Sequence, residues 1–312
     1  MSFGPMHIPD GLLSTPVWLG LDVAAALAAG VVCRRAERGF EPGAAPRLGV
    51  LGAFIFAAQM INFPVAAGTS SHLLGGALLT AALGPMAASV VLMAILAIQA
   101  LVFQDGGLLA FGANVTNMAL AGVFAAWVPL RHLRGQSGLF LAGAASVFAA
   151  SSLAIVELRL SGVTMSPAIL RTALVVFLVS AVIEGLITAA VMGAISRANP
   201  DWAGARQQPA RERRVLGVLG AAAVVLGSAG ALLASSLPDG LEKLAENLGI
   251  AGRVRSLTAS PLAEYQWNTV SSPALGRVLA GLTGLVIVYL ACRLVGEWMV
   301  RRSYRAAAKG NG

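Results

Sequence analysis

Charge is what this chain has least of. Only 12% of its residues are Asp, Glu, Lys or Arg, about half the share usual in a soluble domain, so a water-soluble fold of this size could not cover its own surface. Aromatic residues are few as well, at 6%, and histidine occurs three times. The two cysteines, Cys33 and Cys292, lie at or near the ends of apolar segments expected on the same side of a membrane. They read as small apolar fillers, and a structural disulfide is not expected there. The chain contains no GxxxxGK[ST] phosphate loop, which excludes ATP hydrolysis by that route. It also has no HExxH helix or nucleophile–base pair of the kind an intramembrane enzyme needs. Residues 1–33 hold no Lys or Arg, so the positive n-region of a secretory signal is missing and the N-terminus is expected to stay on the mature protein.

Apolar residues are abundant. They make up 57% of the 312 residues, and mean hydropathy is +0.78. Apolar segments fall at 16–32, 48–67, 72–83, 86–103, 113–130, 138–156, 170–195, 215–235 and 278–299. Most approach the ~20 residues that cross a hydrocarbon core as a helix. The chain therefore reads as an all-α polytopic membrane protein with about nine transmembrane segments, surrounded by the lipid bilayer. The net charge of +8 could suggest nucleic acid, but the basic residues sit at segment ends and not along one face. Topology explains them better, and no nucleic-acid partner is expected.

Arg34, Arg35, Arg38 and Arg47 occupy one loop, Arg131 and Arg134 another, and Arg197, Arg206, Arg211, Arg213 and Arg214 a third. Arg301, Arg302, Arg305 and Lys309 follow the last segment. The positive-inside rule places this set in the cytoplasm, with the N-terminus outside and the C-terminus inside the inner membrane. Parity then needs two crossings between residues 68 and 104, which a break at Leu83-Gly84-Pro85 supplies. The segment 72–83 is too short to span unless tilted or partly re-entrant, so its start is a candidate site. Residues 196–214 are polar, basic and broken by two prolines. The expected organisation is a seven-helix domain over 1–197, a basic linker over 198–214 and a two-helix domain over 215–312 with an external loop at 236–277. The runs Ala24-Ala25-Ala26 and Ala142-Gly143-Ala144 would let helices approach closely.

Two histidines fall at the expected outer face: His7 in MHIPDGLL, ahead of the first segment, and His72 in GTSSHLLGG. Two imidazoles brought together could bind a borderline transition metal. A free amine at Met6, the amide nitrogen of His7 and the rings of His7 and His72 would complete four nitrogens in a plane, suiting Ni(II) or Cu(II). That set needs Met6 as the mature N-terminus. The plain alternative is two interfacial polar residues. A second candidate is FQDGGLLAFGANVTNMAL: Gln104, Asp105, Asn114 and Asn117 could line an ion route or hold a metal-bound imidazole in place, or they could simply cap and join helices. Asp22 and Glu184 lie inside segments, where carboxylates are costly; each is either paired within the bundle or in contact with another subunit. His132 reads as solvated. The run PDGLEKLAENLG reads as a short helix capped by Asp239, with Leu241, Leu244 and Leu248 on one face, resting on the outer mouth of the seven-helix unit.

MHIPDGLL, GTSSHLLGGALLTAALGP and FQDGGLLAFGANVTNMALAG resemble, in order and spacing, the substrate-binding M component of the nickel and cobalt energy-coupling-factor transporters. SSLPDGLEKLAENLG and SPLAEYQW resemble the small N component, whose PDGLE name that run carries. The resemblance covers nearly the whole chain. It implies metal ligation at Met6, His7 and His72, a nickel-type cargo with Co(II) as alternative, and no enzymatic activity. Its implied partners are a membrane-embedded coupling T subunit and cytoplasmic ABC-type ATPase subunits. The five residues ahead of Met6 depart from the pattern and bear on the amine ligand. The rival class is a non-transporting scaffold or passive metal channel, in which the histidines would be dispensable.

Overall fold

The computed structural model describes residues 7–37, 43–66, 68–202, 209–230, 232, 235 and 237–310, without the side chains of 304–310. Met6 lies outside them. Among the described residues ten helices dominate: α1 Thr15–Glu37, α2 Ala44–Gln59, α3 Gly76–Leu83, α4 Pro85–Phe103, α5 Phe111–His132, α6 Gly135–Leu160, α7 Pro167–Ala198, α8 Pro209–Gly230, α9 Gly240–Asn247 and α10 Pro273–Gly310. Seven of these (α1, α4, α5, α6, α7, α8 and α10) are long and apolar enough to cross a membrane. The protein is an all-α polytopic membrane protein.

The remaining two apolar segments are shorter than a full crossing. With 16 residues, α2 reaches about 24 Å, and the eight residues of α3 about 12 Å. The helix expected to run to residue 67 stops at Gln59. Residues Phe63–Ala66 (β1) and Thr69–Ser71 (β2) then form a two-stranded antiparallel hairpin, with Phe63 opposite Ser71. Pro64 sits inside β1, where it cannot donate a helical hydrogen bond and biases Phe63 toward extended backbone, so the helix cannot continue through this stretch. Residues 72–75 enter α3 as buried non-helical backbone. Gly84 and Pro85 then break the chain between α3 and α4 as expected, Pro85 occupying the first turn of α4. α4 ends in a π turn, Gln99–Phe103, and α5 carries a π segment, Val115–Gly122.

Close approaches hold the bundle. A Cβ on Gly143 of α6 would lie 2.6 Å from the Gly185 Cα of α7, as the Ala142-Gly143-Ala144 run suggested. In α1 the intimate contact is at Asp22 against Gly112, whereas of Ala24-Ala25-Ala26 only Ala25 is buried. α10 lies along α2, where Gly49 meets Tyr289 and Gly52 meets Cys292. Cys33 and Cys292 are free thiols. At the end of the bundle away from His7, Arg47 binds Glu212 at 2.7 Å and covers the Trp202 ring at 5.0 Å. Because α8 begins at Pro209, part of the stretch expected as linker is helical.

The other end carries residues 7–14, the loop 104–110 and residues 237–239 ahead of α9. Ile8, Leu12 and Leu13 are buried with Ala154, Leu158, Phe177, Leu241 and Leu244. Each such side chain is worth roughly 1.5–3 kcal/mol of burial, which is what tucks the segment in. α9 matches its expected amphipathic form. Asp239 caps it by accepting from Glu242 N at 2.6 Å, Leu241 and Leu244 face inward, and Glu246 faces out. The helix packs on α7, where Gly240 meets Phe177, and its cap pairs with the hairpin through Ser70 N and Pro238 O at 2.8 Å.

Asp239 is itself buried with one carboxyl oxygen lacking a hydrogen-bond partner. Burial raises its carboxyl to about 7, although the Glu242 N–H pulls the other way. An acid whose value is raised on folding stabilises the fold while protonated. That contribution is complete below about pH 4, the unfolded value, and is lost as pH climbs through about 7. Amides of α9 are therefore expected to exchange hydrogen more readily at pH 8 than at pH 5.5, after correction for intrinsic rates. Asp239→Asn should flatten this difference, and a profile unchanged by the substitution would assign the pH effect elsewhere.

Candidate metal site

His7 and His72 meet inside the molecule although 65 positions separate them. Both are almost fully buried, and their rings stack with centroids 6.0 Å apart and planes 16° from parallel. Two metal–nitrogen bonds of ~2.0–2.1 Å allow centroids sharing one ion to lie roughly 4.5–6.5 Å apart, so the pair is within reach of a single ion. Among the described residues, no group of three or more His, Cys, Asp or Glu side chains is arranged to hold a metal. Two imidazoles therefore need further donors of another kind, and the backbone nitrogens at the N-terminus are the ones nearest in sequence.

Each ring has an acceptor at Nδ1. His7 Nδ1 lies 2.9 Å from Asp105 Oδ1, and His72 Nδ1 lies 2.8 Å from the Leu73 carbonyl oxygen. Imidazoles that bind metals commonly engage their other nitrogen in this way. A chelate that joins the His7 ring to its own amide nitrogen must instead use Nδ1, so forming it requires His7 to exchange its Asp105 contact for the ion. Burial would raise the Asp105 carboxyl, but the adjacent His7 and the hydrogen bonds from His7 and Tyr265 outweigh it and hold the group below the usual carboxylate range. It is thus a negative charge beside the two rings.

The N-terminal segment is held like a strand. Asn114 accepts from Ile8 N at 2.7 Å and donates to Ile8 O at 3.0 Å. Asp10 accepts from the backbone N–H groups of Leu108, Leu109 and Ala110 at 2.8–3.1 Å. Gly107 is required here, since a Cβ would collide with the Asp10 carboxylate. The His72 segment is anchored from α7: Glu184 accepts from Leu74 N and from Gly75 N, both at 2.8 Å. Of the open alternatives for the two intramembrane acids, pairing within the bundle is the one observed, because Asp22 likewise accepts from Gly112 N at 2.6 Å.

The other expected residues divide. Asp105 and Asn114 adjoin His7. Gln104, with φ of 55°, turns to Thr258 and lines a cavity of about 200 Å³ that opens beside His7 between loop 104–108 and loop 254–264. Asn117 does not share the partner of Asn114; it donates to Glu157 at 2.8 Å, because the π turn between them rotates it away. His132 is exposed, as expected.

Three polar residues escaped the sequence reading. Tyr265 donates to Asp105 Oδ2 and accepts from Gln99 Nε2 at 3.2 Å; Gln99 also donates to Gln59 Oε1 at 3.0 Å, and Gln59 donates to Leu74 O at 2.9 Å. To deliver Tyr265, the consecutive non-glycine residues Glu264 and Tyr265 adopt φ of 56° and 55°. Such backbone costs about 1–3 kcal/mol per residue and persists where surroundings enforce it. The Tyr265 ring is stacked on Phe103, with centroids 4.7 Å apart.

A bundle of apolar helices long enough to cross a membrane, with two imidazoles buried close together at one end, has the form of a membrane component that handles a small cation. Residues 7–202 match the family described as the cobalt uptake substrate-specific transmembrane region, and residues 213–302 match the PDGLE domain. The chain belongs to that transport family and carries the M-type and PDGLE regions fused. A provisionally named fused nickel transport protein NikMN of Archaeoglobus fulgidus is 33% identical, over 91% of this chain and 95% of its own. The fused nickel transport protein NikMN of Rhodobacter capsulatus is 30% identical with the same coverages. The cobalt transport protein CbiM of a Roseiflexus species is 36% identical over 48% of this chain and 59% of its own. A crystal structure of a truncated transition metal transporter superposes with a TM-score of 0.55 at 30% identity, over 61% of this chain and 98% of that one.

Proposed function

We propose that this chain captures Ni(II) at the outer face of the inner membrane and passes it inward in an ATP-driven uptake system. The observation that carries this reading is the approach of the His7 and His72 rings in a buried pocket beside Asp105. The ion is held by both imidazoles, with the amine of Met6 and the amide nitrogen of His7 completing a plane when Met6 is the mature terminus. In that set His7 Nδ1 exchanges its Asp105 contact for the ion and its proton leaves, since metal binding displaces protons from ligands. Asp105 then stands beside the cation, Gln104 lines the approach, and Asn114 holds the backbone of the N-terminal segment, while Asn117, bonded to Glu157, takes no part.

In this reading the chain is divided into an M-like domain over 1–197, a basic cytoplasmic linker over 198–214 and an N-like domain over 215–312, with the loop 236–277 outside. The N-terminus lies outside and the C-terminus in the cytoplasm. Energy comes from a membrane-embedded coupling T subunit and cytoplasmic ABC-type ATPase subunits, because this sequence has no phosphate loop of its own. Cobalt is the alternative cargo, given the description of the matched family and the cobalt relative.

Accumulation of radioactive nickel in cells lacking their own nickel uptake tests the proposal. Co-production with the coupling and ATPase subunits should give uptake that excess nickel suppresses more strongly than excess cobalt. Equal uptake with inactive ATPase subunits would point to a passive channel, and stronger suppression by cobalt would reverse the choice of cargo.

A further inference from the structure

The His7–Asp105 ion-pair contact and the hydrogen bonds that follow it join into one largely buried chain around the two histidines. From His7 it runs to Asp105, then Tyr265, Gln99 and Gln59, and ends on the Leu74 carbonyl, two residues beyond His72. Gln59 and Gln99 are almost fully buried in apolar surroundings, where an amide is retained at a cost unless its bonds are made. The directions are mutually consistent. Gln99 spends its amino group on Tyr265 and Gln59 at once, Tyr265 donates its hydroxyl hydrogen bond to Asp105, and Gln59 reaches the His72 loop. Five separate parts of the molecule contribute: the N-terminal segment, α2, the loop 72–75, α4 with its following turn, and the loop between α9 and α10.

From this geometry we infer that Gln99 and Tyr265 are positioning residues for the ion site, and that the PDGLE-containing part of the chain supplies one of them. The inference rests on the reading of His7 and His72 as ligands. Tyr265 fixes the Asp105 carboxylate where it faces the His7 ring, whether that ring donates to it or holds an ion next to it. Gln99 connects this carboxylate to the loop carrying His72, so one chain of bonds sets the spacing of both imidazoles. The π turn at the end of α4 matters here, because it places Gln99 on the Tyr265 hydroxyl while the following Asp105 N–H bonds back to the Gln99 carbonyl at 3.0 Å. The left-handed backbone at Glu264 and Tyr265 is what brings the hydroxyl in.

The test measures Ni(II) affinity and the visible ligand-field spectrum of bound Ni(II) in the purified full chain, for Tyr265→Phe and Gln99→Met. The first keeps the ring stacked on Phe103 and the second keeps side-chain length, so both should remain monodisperse. Each should bind Ni(II) ~10–100-fold more weakly, the range seen when the supports of ligating groups are removed, and with a shifted absorption band. Wild-type affinity and spectrum in both variants would overturn the inference, as would tighter binding in either. Loss confined to Gln99→Met would remove the second part of the chain from the site. His72→Ala, measured alongside, separates the two levels: if it binds Ni(II) normally the ligand reading fails, and if it alone loses Ni(II) only the positioning role fails.

Discussion

His72→Ala is expected to weaken nickel binding by more than ~100-fold, since residues that merely orient a ligand already cost 10–100-fold and His72 is proposed to be a ligand itself. Its ring is buried, stacked 6.0 Å from His7, and fixed through Nδ1 to the Leu73 carbonyl. Alanine removes the imidazole and leaves only two backbone nitrogens and one ring on the N-terminal side. Equilibrium dialysis of the purified chain reads the effect directly. His7→Ala should behave alike, because it removes the ring beside Asp105. Unaltered nickel stoichiometry in both variants would favour the scaffold class.

Glu184→Leu should be the most damaging substitution for the fold around that site. The Glu184 carboxylate is buried within α7 and accepts from Leu74 N and Gly75 N, both at 2.8 Å. These amides precede the first turn of α3, where the helix dipole also favours an anionic acceptor. Leucine would leave two buried N–H groups without an acceptor, at about 1–3 kcal/mol each. Glu184→Gln keeps one acceptor oxygen and should fall between. Hydrogen exchange at residues 72–76 in lipid nanodiscs shows the effect locally, and thermal unfolding shows it globally. Wild-type protection in Glu184→Leu would mean that the loop is held by its own packing.

The apolar runs made most of this architecture readable, since long helices need long stretches without charge. Segment 48–67 misled because its apolar composition continues past Gln59 into Phe63, Pro64 and Val65, and only the proline signals that the backbone has become a strand. His7 and His72 stood out by their rarity. Gln59, Gln99 and Tyr265 did not, because a lone amide or phenol in an apolar background looks the same whether it caps a helix or reaches across the fold. Asn114 and Asn117, three apart, suggested one shared face. A π turn has more residues per turn than an α-helix, so that spacing no longer fixes direction. Asp22 had no cation nearby in sequence, and its partner proved to be a backbone amide, which sequence alone does not reveal.

Tyr265 and Asp239 reach the histidine end of the bundle from the same polypeptide that carries His7 and His72. Were the two parts made as independent chains, occupancy of those braces would follow their abundance and mutual affinity. Fusion sets a fixed local concentration instead. Every copy then leaves the ribosome with its own matched pair, and a cell has no need to balance the synthesis of one half against the other.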